Sequence, residues 1–200
     1  MRISVGKLSL LFIVFFSELI FNNSVLCKTS LLGKVRQKFE SEKSFSVEVV
    51  LEQNNAAGKI FFQSPDLEKI VFGNYKIVVI ADTIWNFNSK LNRLVIQEKE
   101  DDFTPFSIYD ILFKLPNECE YIENKGGNEF TLIPNNGDEI NVRSVKVKMD
   151  KSFLPFFVKV TDMNNKIFSF SLKKYLFGID FDRSFFEIKK LKGTKVVDLR

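Results

Sequence analysis

The alternation that begins at Phe45 sets the strongest constraint on what this chain can become. Phe45, Val47, Val49 and Leu51 alternate with Ser46, Glu48, Val50 and Glu52. A period of two sends successive side chains to opposite faces of a strand, so one face is greasy and the other mostly wet. Polar turns at 53–58, 64–66, 73–74, 82–83 and 88–90 separate this run from strand patterns at 59–63, 67–72, 76–81, 84–87 and 91–97. Strands about every ten residues, joined by such turns, predict an antiparallel meander.

One segment breaks the pattern. After the acidic stretch 98–102, Thr104 is a helix cap and Pro105 suits the first helical position. Phe106, Ile108, Tyr109, Ile111, Leu112, Phe113 and Leu115 follow, and Pro116-Asn117 stop the run. The expected helix over 105–115 is apolar nearly all round, so it should be buried on several sides rather than along one stripe. Two readings stay open. It is a static core helix, or it is a plug on a concave apolar sheet face that leaves when a ligand enters. An earlier helix is expected over 29–41, capped by Ser30, with Leu31, Leu32, Val35 and Phe39 at helical spacing. Strand patterns resume at 120–123, 130–133, 145–149 and 154–161, where Pro155 marks an edge or a strand start. Further strands are expected at 168–172 and 185–188, and the basic tail 193–200 has strength only for brief pairing. No linker or internal repeat divides residues 28–200, which form one domain.

The N-terminus has the form of a secretory signal over 1–27. Arg2 and Lys7 precede a short apolar run that is interrupted by Ser9 and Glu18, too short for a membrane span. Cleavage is expected near Cys27, leaving only Cys119 and therefore no internal disulfide. The competing outcome, lipidation of Cys27, fits poorly because bulky Leu26 precedes it. The formal charge of +4 falls to +3 once Arg2, Lys7 and Glu18 are removed, and no basic cluster suggests nucleic acid.

The chain contains no histidine. That excludes histidine general bases, the usual triads and histidine-ligated metals, and a single remaining thiol excludes thiolate clusters. Asp101-Asp102 belong to a polar loop, Asn136-Gly137-Asp138 to a turn, and the acids around Cys119 should raise its pKa and blunt it as a nucleophile. No enzyme, metal or cofactor is expected. Phenylalanine is in excess, with 23 copies against one Trp and four Tyr. Large apolar rings without polar tips suit either a big core or a lipid-lined cavity.

Five pieces in order resemble the periplasmic lipoprotein carriers of the LolA family over nearly the whole mature chain. After a short helix comes Phe45-Ser46-Val47-Glu48-Val49, then Gly58-Lys59-Ile60-Phe61-Phe62-Gln63-Ser64-Pro65. Asp82-Thr83-Ile84-Trp85-Asn86-Phe87-Asn88 follows, then the helix opening Thr104-Pro105-Phe106-Ser107-Ile108-Tyr109. The end resembles Phe186-Glu187-Ile188, Gly193 and Val196-Val197-Asp198-Leu199-Arg200. The resemblance implies a mainly β fold, an unclosed antiparallel half-barrel covered by short helices that form a lid. It implies a soluble, monomeric periplasmic carrier that takes the acyl chains of lipoproteins from an inner-membrane ABC transporter of the LolCDE kind to an outer-membrane acceptor of the LolB kind. On that reading Phe45, Val47, Val49, Phe62, Ile70, Trp85 and Phe87 line the cavity, and Phe106, Ile108, Tyr109, Leu112 and Phe113 form the lid. The alternative is a membrane-anchored LolB-like receptor or lipid-binding sensor on the same fold. The sequence departs from the family at Ser64, where studied carriers have an Arg that ties the lid, with Lys69 as a candidate substitute. Thr83 replaces a family Gly, and a family Pro pair near the C-terminus is absent.

Overall fold

A computed structural model describes residues 30–63, 67–99, 107–136 and 141–200. The segment 1–27, and with it Cys27, lies outside the described residues, as do Ser64, Pro65, Thr104, Pro105 and Phe106. The protein is mainly β. Helix α1 (Leu31–Glu40) leads into β1 (Ser44–Leu51), β2 (Ala56–Gln63), β3 (Leu67–Phe72), β4 (Tyr75–Ile80), β5 (Thr83–Asn88) and β6 (Arg93–Glu98). A π-helical turn (Asp110–Lys114) and a 3-10 turn (Leu115–Glu118) then precede β7 (Cys119–Glu123), β8 (Glu129–Pro134), β9 (Val142–Met149), β10 (Pro155–Asp162) and β11 (Ile167–Phe177). A second 3-10 turn (Arg183–Phe186) and β12 (Lys195–Asp198) close the chain.

All strands join one sheet in the order β12-β6-β5-β4-β3-β2-β1-β11-β10-β9-β8-β7. It consists of two antiparallel meanders, β1–β6 and β7–β11, seamed where β1 pairs with β11. The ends, β12 and β7, do not pair, so the sheet is unclosed. This order dictates what covers it. The connection from β6 to β7 must travel from one end of the sheet to the other, so it crosses a face.

The sheet wraps around what crosses it. Tyr109 stacks on Phe62 of β2, while the 3-10 turn that follows lies against β7 and β8. A flat sheet would separate β2 from β7 by several strand spacings, on the order of 30 Å. A helical segment is only about 10–12 Å across. Contact with both arms therefore requires a strongly curved sheet, and α1 also docks on β8 inside the curve. One core cluster fills the concave side, running from Phe45, Ile60 and Ile70 on one arm to Phe130, Leu132 and Val147 on the other.

Several local devices hold the register. Gly58 is required because an added Cβ would meet the Val71 carbonyl oxygen at 2.4 Å and the Phe72 ring at 2.5 Å. Lys174 adopts a positive φ of 54° beside the irregularity in the β1–β11 ladder. This bulge shifts the alternation by one residue, so Lys173 and Lys174 both point away from the core while Leu172 and Tyr175 both pack in it. Helix α1 begins at Ser30, whose Oγ accepts from Gly33 N at 3.0 Å. Its first amides find partners on β7: Leu31 N donates to Glu123 Oε2 and Leu32 N to Tyr121 Oη.

The structure corrects three of the sequence expectations. Residues 185–188 do not form a strand; Arg183–Phe186 is a 3-10 turn. The tail strand β12 pairs with β6 in parallel, the one exception to the antiparallel pattern among the described residues. Of the two alternatives for Pro155 the strand start holds: it opens β10, which sits between β9 and β11. The apolar segment before β7 is a π turn running into a 3-10 turn, not a regular α-helix. An i+5 bond from Leu115 N to Asp110 O replaces the ordinary ladder there.

Candidate functional site

The concave face is built by strand parity. Phe45, Val47 and Val49 of β1 point inward, and the register carries that face across Ile60 and Phe62, then Glu68 and Ile70, then Ile77 and Val79. Phe45, Val47, Val49, Phe62 and Ile70 are thus brought together as expected, all buried in the same cluster. Trp85 and Phe87 are not. They pair with Val78 and Lys76, whose side chains alternate with Ile77 and Val79 to the opposite face. They pack there with Leu94, Ile96 and Ile188 in a separate cluster. The expectation that they share the cavity is corrected, because a period-two pattern defines two faces but not which of them is inside.

The crossing segment lies over the concave face. Ile108, Ile111 and Leu112 are between 0% and 1% exposed, and Leu115 is 3% exposed. Aromatic rings form a continuous row from α1 to this segment. Phe39 meets Phe45 edge-on at 5.1 Å, Phe45 stacks on Phe62 at 5.3 Å, Phe62 on Tyr109 at 5.0 Å and Tyr109 on Phe113 at 4.9 Å. Two crevices flank Tyr109. The first, about 210 Å³, opens among Phe39, Glu42, Phe45, Phe62 and Phe113. The second, about 160 Å³, lies among Glu68, Val79, Lys99, Ser107 and Asp110. Tyr109 and Phe62 border both. Each alone is smaller than the roughly 300–1,000 Å³ usual for a ligand pocket.

Polar contacts fasten the segment. Arg36 of α1 donates from Nε to the Leu112 carbonyl at 2.6 Å and from its terminal nitrogen to the Phe113 carbonyl at 3.4 Å. Its guanidinium also lies 5.8 Å from the Phe113 ring centre. A guanidinium fork can serve two carbonyls at once, which a lysine does less well. Arg36 therefore does what Lys69 was a candidate for. Lys69 is on the other face of the sheet, where it donates to the Phe185 carbonyl at 2.5 Å.

A buried carboxyl pair lies where the segment meets the sheet. Asp110 is 2% exposed and Glu68 6% exposed. Lys114 and Lys99 bring their ammoniums to 3.4 and 3.6 Å from Asp110 Oδ1, long for hydrogen bonds, and that oxygen has no hydrogen-bond partner. Glu68 Oε1 has none either. Burial, and then the charge of Asp110, push the Glu68 carboxyl up to about 8, while the Ser107 hydroxyl and the two lysines pull the other way. At neutral pH Glu68 is thus mainly protonated. Sequence reasoning missed this pair. Glu68 looks like one more polar residue in a strand, and only its inward parity shows otherwise.

Burial, and then Glu118, raise the Cys119 thiol to about 11, in the direction its acidic neighbours suggest. Among the described residues no cluster of His, Cys, Asp and Glu has the make-up of a metal site, and no helix is long and apolar enough to cross a membrane.

No protein-family model matches the chain, and no curated protein matches it. Among solved structures it is similar to an uncharacterized conserved protein from Thermus thermophilus, at 13% identity, 84% coverage of this chain, 96% of that one and a TM-score of 0.55. It is also similar to a LolA superfamily protein from Nitrosomonas europaea, at 7% identity, 74% and 91% coverage and a TM-score of 0.41. The Mycobacterium tuberculosis lipoprotein LppX matches at 14% identity, 76% and 97% coverage and a TM-score of 0.40. The first likeness shows a shared fold.

Proposed function

We propose that this protein binds acyl chains on the concave face of its sheet, and that it serves as an exported, periplasmic carrier of acylated lipoproteins rather than as an enzyme. One observation carries the reading. Tyr109 separates two crevices that share Phe62, so a shift of the crossing segment would join them into one trough, with the aromatic row along its floor and charged side chains at its mouths.

The energies allow such an exchange. A buried methylene is worth about 0.8 kcal/mol, so a long acyl chain represents on the order of 10 kcal/mol. Unseating Ile108, Ile111, Leu112 and Leu115 forfeits about 1.5–3 kcal/mol for each side chain, again on the order of 10 kcal/mol. Two apolar occupants of equal worth compete for one surface, so cargo is shielded yet can be released. The segment's irregular turns support this too, because few of its backbone bonds hold it helical by itself.

The test is hydrogen exchange on the intact protein with a synthetic triacylated peptide. Amides of residues 111–115 should exchange faster when the peptide is bound, while those of β1 and β11 stay protected. Saturable binding with unchanged protection at 111–115 would rule out displacement of the segment.

A further inference from the structure

A second hollow lies away from the concave face. It is a groove of about 600 Å³ on the convex side of β1–β4. Outward-pointing residues form its apolar floor: Val50 of β1, Ala57 and Phe61 of β2, and Val71 of β3. Phe185 makes one wall, held by an edge contact to Phe61 at 4.9 Å and by stacking on Phe181 at 4.9 Å. The 3-10 turn that carries Phe185 is seated against β3 and β4.

The rim of this groove is cationic. Lys59, Lys69 and Lys76 border it, and Lys189 continues the line past Phe185. Two acids stand on the same rim, Glu48 and Glu187. Glu48 is engaged elsewhere, 2.9 Å from Lys174 and 3.7 Å from Lys59. Among the described residues no carboxylate comes within ion-pair distance of Lys69, Lys76 or Lys189. The Lys69 ammonium is half-buried, with the Phe185 carbonyl at 2.5 Å and the Phe185 ring centre at 4.3 Å. Burial, and then the charges of Lys76 and Lys189, lower its pKa, which an incoming anion would reverse.

We infer that this convex groove is a binding site for a long-chain carboxylate, with the hydrocarbon on the Val50–Val71–Phe61 floor against Phe185 and the carboxylate between Lys69 and Lys76. The volume suits a single chain and lies in the usual range for small-ligand sites. A floor of aliphatic and aromatic side chains ending in unpaired ammoniums complements an amphiphile with one anionic end. Lysine serves as a point charge here, without the planar fork that selects for phosphate. The site does not depend on movement of the segment over the concave face.

The test uses sodium oleate with the full mature chain, followed by methyl NMR and by displacement of a fluorescent fatty acid. Oleate should bind saturably, shift the methyls of Val50, Ala57 and Val71, and leave those of Ile108 and Leu112 in place. The double variant Lys69→Gln/Lys76→Gln, both outward-facing and so foldable, should bind oleate roughly tenfold more weakly. The same variant should bind oleyl alcohol, which lacks the charge, as the parent does. Four results would overturn the assignment: shifts confined to Ile108 and Leu112, no saturable binding, equal losses for acid and alcohol, or stronger binding of an acidic peptide or of phosphatidylglycerol vesicles than of oleate. The first of these leaves the concave-face reading standing, so failure here and failure there are distinguishable.

Discussion

The two faces of β1–β4 come from the same residues taken alternately, yet they end in opposite states. On the concave side, Phe45, Val47, Phe62 and Ile70 are covered by α1 and the crossing segment, with crevices of about 210 and 160 Å³ beside Tyr109. On the convex side, Val50, Phe61 and Val71 are flanked only by the aromatic turn around Phe185, leaving about 600 Å³ open. The greasier face by sequence is the more completely filled one. The difference teaches that the hollow in such a sheet is set by where the connecting chain crosses, more than by where the apolar residues point.

Core truncation should separate the faces most sharply. Phe170→Ala removes a fully buried ring from the concave cluster and should cost about 3–5 kcal/mol in urea unfolding. Phe61→Ala, half-buried on the convex face, should cost about 1 kcal/mol or less. Equal losses would mean that the convex side is as tightly packed as the core.

The pH dependence comes next in size. Glu68 has its pKa raised from 4.5 to about 8 in the folded protein, so the native state holds that proton more tightly than the unfolded chain. Its contribution is full below pH 4.5 and is lost as pH rises through 8. At about 1.36 kcal/mol per pKa unit, stability should fall by a few kcal/mol across that window. The groups facing Glu68 are Asp110, Tyr109, Ser107 and Lys114 of the crossing segment, Lys99 after β6 and Asp82 in the β4–β5 turn. Glu68→Gln should flatten the curve; an unchanged slope would assign it to another group.

Loosening the crossing segment alone should be smaller. Arg36→Gln removes donors to the Leu112 and Phe113 carbonyls, worth about 1–2 kcal/mol together. Amide exchange at 111–115 should accelerate about tenfold or somewhat more, with the sheet unaffected. The smallest effect belongs to the convex rim. Glu48 is held below the usual carboxylate range mainly by its hydrogen bond to Lys174, but its side chain is only half-buried and its partner lysine is exposed. Glu48→Gln should leave the unfolding midpoint unchanged within error.

Much of the fold was legible in the sequence because local periodicity is a local property. The alternation at Phe45–Leu51, the hairpin turn at Asn164-Asn165 and the capped helix at Leu31–Glu40 depend on neighbours a few residues away. The segment at 108–115 was recognisable as buried on several sides for the same reason. Face assignment was not legible where it depended on distant partners. Trp85 and Phe87 belong to a strand as plainly patterned as β1, but their face is set by pairing with Val78 and Lys76. Phe185 and Phe186 look like strand residues and instead form a turn, because their rings bury on Phe61 and Phe181. Nothing local to Arg36 or Glu68 signals that one grips the segment and the other lies beneath it.

By itself the sequence determined a single mainly β domain, its strand and turn spacing, and one apolar segment with no polar face to show to water. Only the tertiary structure decided which side of the sheet that segment covers, which rings share a cluster, and where space is left. Periodicity fixes the relation between neighbouring side chains, whereas inside and outside are defined by the path of the chain between β6 and β7, whose ends lie far apart across the sheet.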